Sequence, residues 1–239
     1  INNMNILVTG GAGFIGSHTC IELMKGGFNV IVVDNFCNSS RESLNRVEYI
    51  SGTPIEFFEI DIRNKENLSK IFDSYNISGV IHFAGLKSVN ESLIYPERYH
   101  SYNVLGSESL LDVMDAYKCK NIIFSSSASV YGDPKYLPID EKALLNPSNP
   151  YGKTKLTIEK ILIERHKSDH SWNIAALRYF NPVGAHVSGL IGEDPNGVPN
   201  NIMPLIIRVA SNQSKRLEIF GGDYNTKDGT GVRDYIHVT

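Results

Sequence analysis

Short runs of aliphatic and β-branched residues recur at 5–9, 30–34, 55–59, 80–83, 121–125 and 174–177. Between them, apolar residues return every three or four positions over 14–26, 40–50, 65–75, 95–118 and 150–167. The first pattern predicts strands and the second amphipathic helices. Consecutive strands separated by helices pair in parallel, because a crossover is needed to bring them side by side in one direction. The expected fold is α/β: a doubly wound parallel Rossmann sheet with helices on both faces and ligands at the strand C-terminal ends. After Tyr179 the pattern gives way to a stretch rich in Gly, Pro and Asn at 181–201, too long for an ordinary connection and expected to be a binding loop or a domain join. This places a boundary near residue 180. Residues 1–180 are expected to form the Rossmann domain, and 181–239 to begin a second, smaller substrate-binding α/β domain, expected to be incomplete here.

The two ends carry expectations of their own. Residues 233–238 read as a strand in progress up to Thr239, so the chain is expected to stop inside that second domain. Ile1 is not an initiator and Met4 stands just ahead of the first strand. Residues 1–3 are therefore expected to be a remnant or the tail of something upstream.

Composition narrows the classes. With 41% apolar and 21% charged residues in 239, the chain has the material for a packed core, which excludes a disordered or collagenous protein. A formal charge of −3 offers no basic surplus for nucleic acid, so a phosphate-bearing ligand has to be recognised locally. Cys20, Cys37 and Cys119 are odd in number, scattered and without C-x-x-C spacing, which points away from disulfides and from a metal site and towards a reducing, cytoplasmic setting. No apolar run approaches the roughly 18 residues of a membrane span.

Gly10-Gly11-Ala12-Gly13-Phe14-Ile15-Gly16 follows the strand-like Ile6-Leu7-Val8 and opens a helical stretch. Glycines alone make only a tight turn; strand, turn, helix and then an acid is a specific dinucleotide fingerprint. Gly10, Gly13 and Gly16 let the backbone approach a pyrophosphate, whose charge meets the free N–H groups of the helix start. Asp34 closes the next strand, where a carboxylate accepts ribose hydroxyls and repels a 2′-phosphate, so NAD is favoured over NADP. Asp61, ending the third strand, suits the adenine edge or the N-cap of the helix near Lys65.

Tyr151 and Lys155 lie four apart at the start of a helix announced by Pro147 and Pro150, and so share a face. An ammonium about 5 Å from a phenol, at an effective dielectric near 20, contributes roughly 3 kcal/mol, or about two pK units, towards the phenolate. Such a tyrosine takes a proton from a sugar hydroxyl while the cofactor takes hydride. Ser127 ends the fifth strand, in position to bond the reacting oxygen. A Y-x-x-x-K pattern by itself is a frequent accident on solvated helix faces; the glycine site upstream gives it meaning.

These strings, with Phe83-Ala84-Gly85-Leu86-Lys87 and Ser125-Ser126-Ser127-Ala128-Ser129-Val130-Tyr131-Gly132, resemble the extended short-chain dehydrogenases. Leu177-Arg178-Tyr179-Phe180-Asn181-Pro182-Val183-Gly184-Ala185-His186, Pro199-Asn200-Asn201 and Gly229–Val238 are similar to the branch that epimerises nucleotide-sugars at C4, over essentially the whole chain. The resemblance implies an isomerase that interconverts UDP-glucose and UDP-galactose. Tyr151 removes the 4-hydroxyl proton, hydride passes from C4 to NAD, and the resulting 4-keto sugar turns before hydride returns. It also implies that Phe14, Ile15, Asp34, Asn35, Asn38, Ser39, Asp61 and Ile62 line NAD on one side. Phe83, Ala84, Lys87, Asn103, Lys155 and Phe180 would line it on the other. Ser127, Tyr151, Asn181, Asn200 and Arg233 would hold the UDP-sugar. The helices 95–118 and 150–167 correspond to a homodimer interface in that family.

Two rivals share these features. A nucleotide-sugar 4,6-dehydratase needs an extra acid and base beside the serine, where Ser127-Ala128-Ser129 offers no carboxylate. A non-catalytic NAD-binding regulator would have no use for an intact Tyr151, Lys155 and Ser127.

Overall fold

The computed structural model describes residues 4–197, 199–219 and 221–239, so the expectation for residues 1–3 lies outside the described residues. Six strands form one all-parallel sheet: β1 (Asn5–Thr9), β2 (Asn29–Asp34), β3 (Glu56–Glu59), β4 (Ile77–His82), β5 (Asn121–Ser127) and β6 (Asn173–Tyr179). Their order is β3-β2-β1-β4-β5-β6. The order reverses between β1 and β4, which opens a crevice beyond their C-terminal ends.

Alternation along the strands divides the core between the two faces, since successive residues point to opposite sides of a sheet. Leu7, Ile31 and Val33 face one layer with Leu68, Ile71, Leu110, Met114, Ile158 and Leu162. Val8, Val30 and Val32 face the other with Cys20, Ile21, Leu44 and Val47. The first layer comprises α3 (Lys65–Ser74), α6 (Gly106–Ala116) and α7 (Pro150–Ser168), and the second α1 (Phe14–Lys25) and α2 (Arg41–Ser51). β2, with Val30 to Val33 all buried, reads as a continuous apolar run because both of its faces are covered.

The helix expected over 95–118 is three pieces: α5 (Pro96–Tyr99), a π-helical segment (His100–Leu105) and α6. The widened turn brings Asn103 inward, where it is 1% exposed. Ahead of it stands α4 (Val89–Ile94), too short for a period to show; its signal was the Ser88-x-x-Glu91 capping box, with Ser88 Oγ accepting from the Glu91 amide at 3.2 Å. The helix near Lys65 is capped by Asn64, which accepts from the Asn67 amide, so the N-cap reading of Asp61 is corrected.

Beyond β6, β7 (Asn181–Val183) pairs in parallel with β8 (Tyr235–His237) in a separate two-stranded sheet. α8 (Ile202–Ala210) lies between them in sequence, inside a stretch that the pattern left without elements.

Candidate active site

One cleft runs across the C-terminal ends of β1, β2, β4 and β5. Its floor is the turn after β1. Gly10 adopts φ +70°, and a Cβ there would stand 2.6 Å from the Ala84 amide nitrogen across the switch point. A Cβ on Gly16 would stand 2.3 Å from the Gly10 carbonyl oxygen. Only glycine lets these backbones close up. Gly13 is the N-cap of α1 and brings no capping side chain, so the first N–H groups of that helix open towards the cleft, the arrangement that receives a phosphate.

Asp34 ties this turn to the end of β2. Its Oδ2 accepts from the Ala12 amide at 3.0 Å, and its Oδ1 from the Phe36 amide at 2.9 Å and the Ser39 hydroxyl at 2.8 Å. The carboxylate is thus aimed by three donors and keeps lone-pair capacity for a ribose. Asp61 is gripped by Arg63 through its Nε at 2.9 Å and a terminal nitrogen at 2.7 Å, and that guanidinium holds its carboxyl below the usual range. Arg63 in turn lies 3.7 Å from the centre of the Tyr102 ring, a cation–π contact that sets one cleft wall.

At the other end, Ser127, Tyr151 and Lys155 come together. α7 starts at Pro150 behind the cap of Asn149, whose side chain accepts from the Gly152 amide at 2.8 Å. The Tyr151 amide donates to Ser92 Oγ at 3.2 Å, and the Tyr151 carbonyl accepts from Thr154 Oγ1 at 2.7 Å. The Lys155 ammonium donates to the Ser125 carbonyl at 2.8 Å and lies 5.8 Å from the centre of the Tyr151 ring. Burial lowers the Lys155 pKa to about 8.

The expectation that Lys155 depresses the Tyr151 pKa is corrected here. Burial pushes the phenol up, and only the nearby Ser127 hydroxyl pulls it partway back. The physical reason is that desolvation of the phenol is the largest effect on it, while the Lys155 ammonium, 5.8 Å from the ring centre, makes no direct bond to it.

Gly10, Gly13, Phe14, Ile15, Gly16, Asp34, Asn35, Asn38, Ser39, Asp61, Ile62, Phe83, Ala84, Lys87, Lys155 and Phe180 all line the cleft, as do Ser127, Tyr151 and Asn181. Three expected residues do not. Asn103 lies behind the wall: its Oδ1 accepts from the Leu86 amide at 2.8 Å and its Nδ2 donates to the Leu86 carbonyl and to Thr154 Oγ1, so its amide is already engaged. Asn200 stands outside the cleft while its neighbour Asn201 lines it. Arg233 is exposed and donates to the Val232 carbonyl at 2.9 Å.

Sequence reasoning missed Glu193. Glu193 reaches back from the 181–201 stretch and bonds the Lys87 ammonium at 2.8 Å, so Lys87 carries a carboxylate partner. No spacing signal links two residues 106 positions apart.

The model of the NAD dependent epimerase/dehydratase family matches residues 6–239. The UDP-glucose 4-epimerase of Bacillus subtilis is 54% identical over 235 residues, covering 98% of this chain and 69% of its own. That of Dictyostelium discoideum is 55% identical, with 98% and 68% covered. The crystal structure of UDP-glucose 4-epimerase from Bifidobacterium longum in complex with NAD+ and UDP superposes with a TM-score of 0.96 at 52% identity, covering 98% of this chain and 70% of that one.

Proposed function

We propose that this chain, which belongs to the NAD dependent epimerase/dehydratase family, is an NAD-dependent isomerase that interconverts UDP-glucose and UDP-galactose by reversible oxidation at C4. The observation that carries the reading is one cleft with two chemistries. A glycine turn and an aimed Asp34 stand at one end, and Tyr151, Ser127 and Lys155 at the other. The residues fit NAD, since the cradle over Gly10 and Gly16 closes only without side chains and the start of α1 is uncapped. When bound, NAD supplies the hydride acceptor and donor and a positive ring charge near the phenol.

Tyr151 takes the proton of the C4 hydroxyl and returns it to the opposite face's product. Ser127 bonds the same oxygen and holds it in line with the phenol. Lys155 anchors the end of β5 through Ser125 and adds positive charge beneath the site. Gly10, Gly13, Phe14, Ile15 and Gly16 receive the pyrophosphate, Asp34 and Asn35 the adenosine ribose, and Asp61 and Ile62 the adenine side. Asn181, at the start of β7, is the first residue of the sugar-binding part, and its Nδ2 bonds the Asp234 carbonyl at 2.7 Å. This supports a boundary near residue 180. A dehydratase would require a carboxylate beside Ser127, where the chain has Ala128 and Ser129.

A homodimer and a cytoplasmic setting complete the proposal. Leu105, beside α6, and Ile163, on α7, are exposed apolar side chains on the helices such a dimer would pair. No described helix is long and apolar enough to cross a membrane. Light scattering at micromolar concentration should report twice the chain mass; a monomer would remove the dimer.

The function is tested by conversion of UDP-galactose to UDP-glucose without added NAD, with Tyr151→Phe in parallel. The expected outcome is turnover with about one NAD recovered per chain, and a loss of roughly 100-fold or more in the variant. An unchanged rate in Tyr151→Phe would discard the proton-transfer role.

A further inference from the structure

Behind the catalytic residues lies an ion pair, its carboxylate buried and its guanidinium partly so, to which none of the roles above has been given. Glu159 on α7 is 3% exposed, and Arg178 on β6 grips it with two nitrogens, Nε to Oε1 at 3.0 Å and one terminal nitrogen to Oε2 at 2.7 Å. Removing one partner of such a pair leaves the other charge uncompensated, so the two act as a unit. Two further bonds show what it reaches. Ser126 Oγ donates to Glu159 Oε1. The remaining arm of Arg178 donates to the Tyr131 hydroxyl at 2.9 Å, with the guanidinium 5.0 Å from the centre of that ring.

Ser126 and Tyr131 bracket the turn that presents Ser127. β5 ends at Ser127, whose Oγ accepts from the Ser129 amide at 3.2 Å and starts the 3-10 turn Ala128–Val130, with Tyr131 next, 4% exposed. On the helix side, Tyr151, Lys155 and Glu159 follow at i, i+4 and i+8, one face over about 12 Å. Three consecutive residues of β5 are thereby engaged by three consecutive turns of α7. Ser125 takes Lys155 through its carbonyl, Ser126 bonds Glu159, and Ser127 approaches Tyr151. β6 joins the same assembly, because Ser126 and Arg178 are register partners.

We propose that Glu159 and Arg178 are positioning residues for the proton transfer: the fork fixes Ser126 and Tyr131, and through them the placement of Ser127 against Tyr151. Neither residue lines the cleft. The inference rests on Tyr151 being the group that moves the proton.

The test uses the chain with its bound NAD and the variants Glu159→Gln, Ser126→Ala and both together, with Tyr151→Phe alongside. Misplacing a catalytic group by about 1 Å costs up to roughly 100-fold. Glu159→Gln should lower kcat by about 10- to 100-fold and Ser126→Ala by a smaller factor, with KM within about twofold and the bound NAD per chain unchanged. The double variant should be no slower than Glu159→Gln alone, because Ser126 then acts only through Glu159. Multiplying losses, or an unchanged kcat in both single variants, would overturn the proposal. If Glu159→Gln does not fold, Ser126→Ala and Tyr131→Phe, each removing one bond to the pair, should each lower kcat with KM and bound NAD unchanged, and an unchanged kcat in both would overturn the proposal. Full activity in Tyr151→Phe would instead sink the underlying reading, which separates the two failures.

Discussion

Lys155 donates its hydrogen bond to the main-chain oxygen of Ser125, at 2.8 Å, and none to the phenol of Tyr151. The lysine therefore holds the end of β5 in place and acts on the tyrosine only through space, from 5.8 Å to the ring centre. Its cost is visible in the lowered pKa: a buried ammonium is less stable than a solvated one.

From this follows a trade between activity and stability at Lys155. With a folded pKa of about 8 below an unfolded value of 10.5, the native chain binds fewer protons between those limits. Stability should therefore rise as pH increases from 8 to 10.5, and the full penalty applies below 8. Lys155→Met should stabilise the protein stripped of NAD by about 2 kcal/mol at pH 7 and slow turnover by roughly 100-fold or more. Urea unfolding and UDP-galactose conversion measure the two; a destabilised variant would contradict the argument.

His82 gives the opposite end of the pH range. It is 1% exposed, meets Thr9 Oγ1 at 2.7 Å through Nδ1 and Ser107 Oγ at 2.8 Å through Nε2, and burial, with Lys155 adding to it, lowers its pKa to about 3. As pH falls from 6.5 towards 3 the unfolded chain takes up a proton that the native one refuses. Stability should drop through that window by about 4–5 kcal/mol from this group. His82→Gln keeps a donor and an acceptor but does not titrate, so its stability should fall less steeply between pH 6.5 and 4. Parallel slopes in denaturant titrations would refute this.

Gly16→Ala should abolish NAD binding. The added Cβ would stand 2.3 Å from the Gly10 carbonyl and 2.8 Å from the Gly11 Cα, both backbone atoms of the turn itself. Overpacking of this kind costs about 1–3 kcal/mol of stability. Purified variant should carry no NAD, and retention of one NAD per chain would show that the turn yields.

Asp34→Asn should loosen the choice of cofactor. The carboxylate loses its charge, and the single amide oxygen can keep the bonds from Phe36 and Ser39 but not the one from Ala12, whose N–H then faces an NH2; the repulsion of a 2′-phosphate disappears with the charge. Calorimetric titration of protein freed of NAD should find the preference for NAD over NADP reduced by about tenfold or more. An unaltered preference would assign the discrimination elsewhere.

The sheet, the glycine turn and the Tyr151–Lys155 face were all decided by local signals: alternation, a 3.6-residue period and a fingerprint a few residues long. The covered strands β1 and β2 and the Pro150 helix start needed nothing more. Tertiary structure decided what depends on distance along the chain. The π turn that draws Asn103 behind the wall, the reach of Glu193 across 106 positions to Lys87 and the Glu159–Arg178 fork under Ser126 leave no periodic trace, because each partner is chosen by packing. The direction of the Tyr151 pKa belongs to the same class. Spacing brings a lysine within range of a phenol, but burial determines whether that charge outweighs the loss of water, and burial is a property of the folded chain.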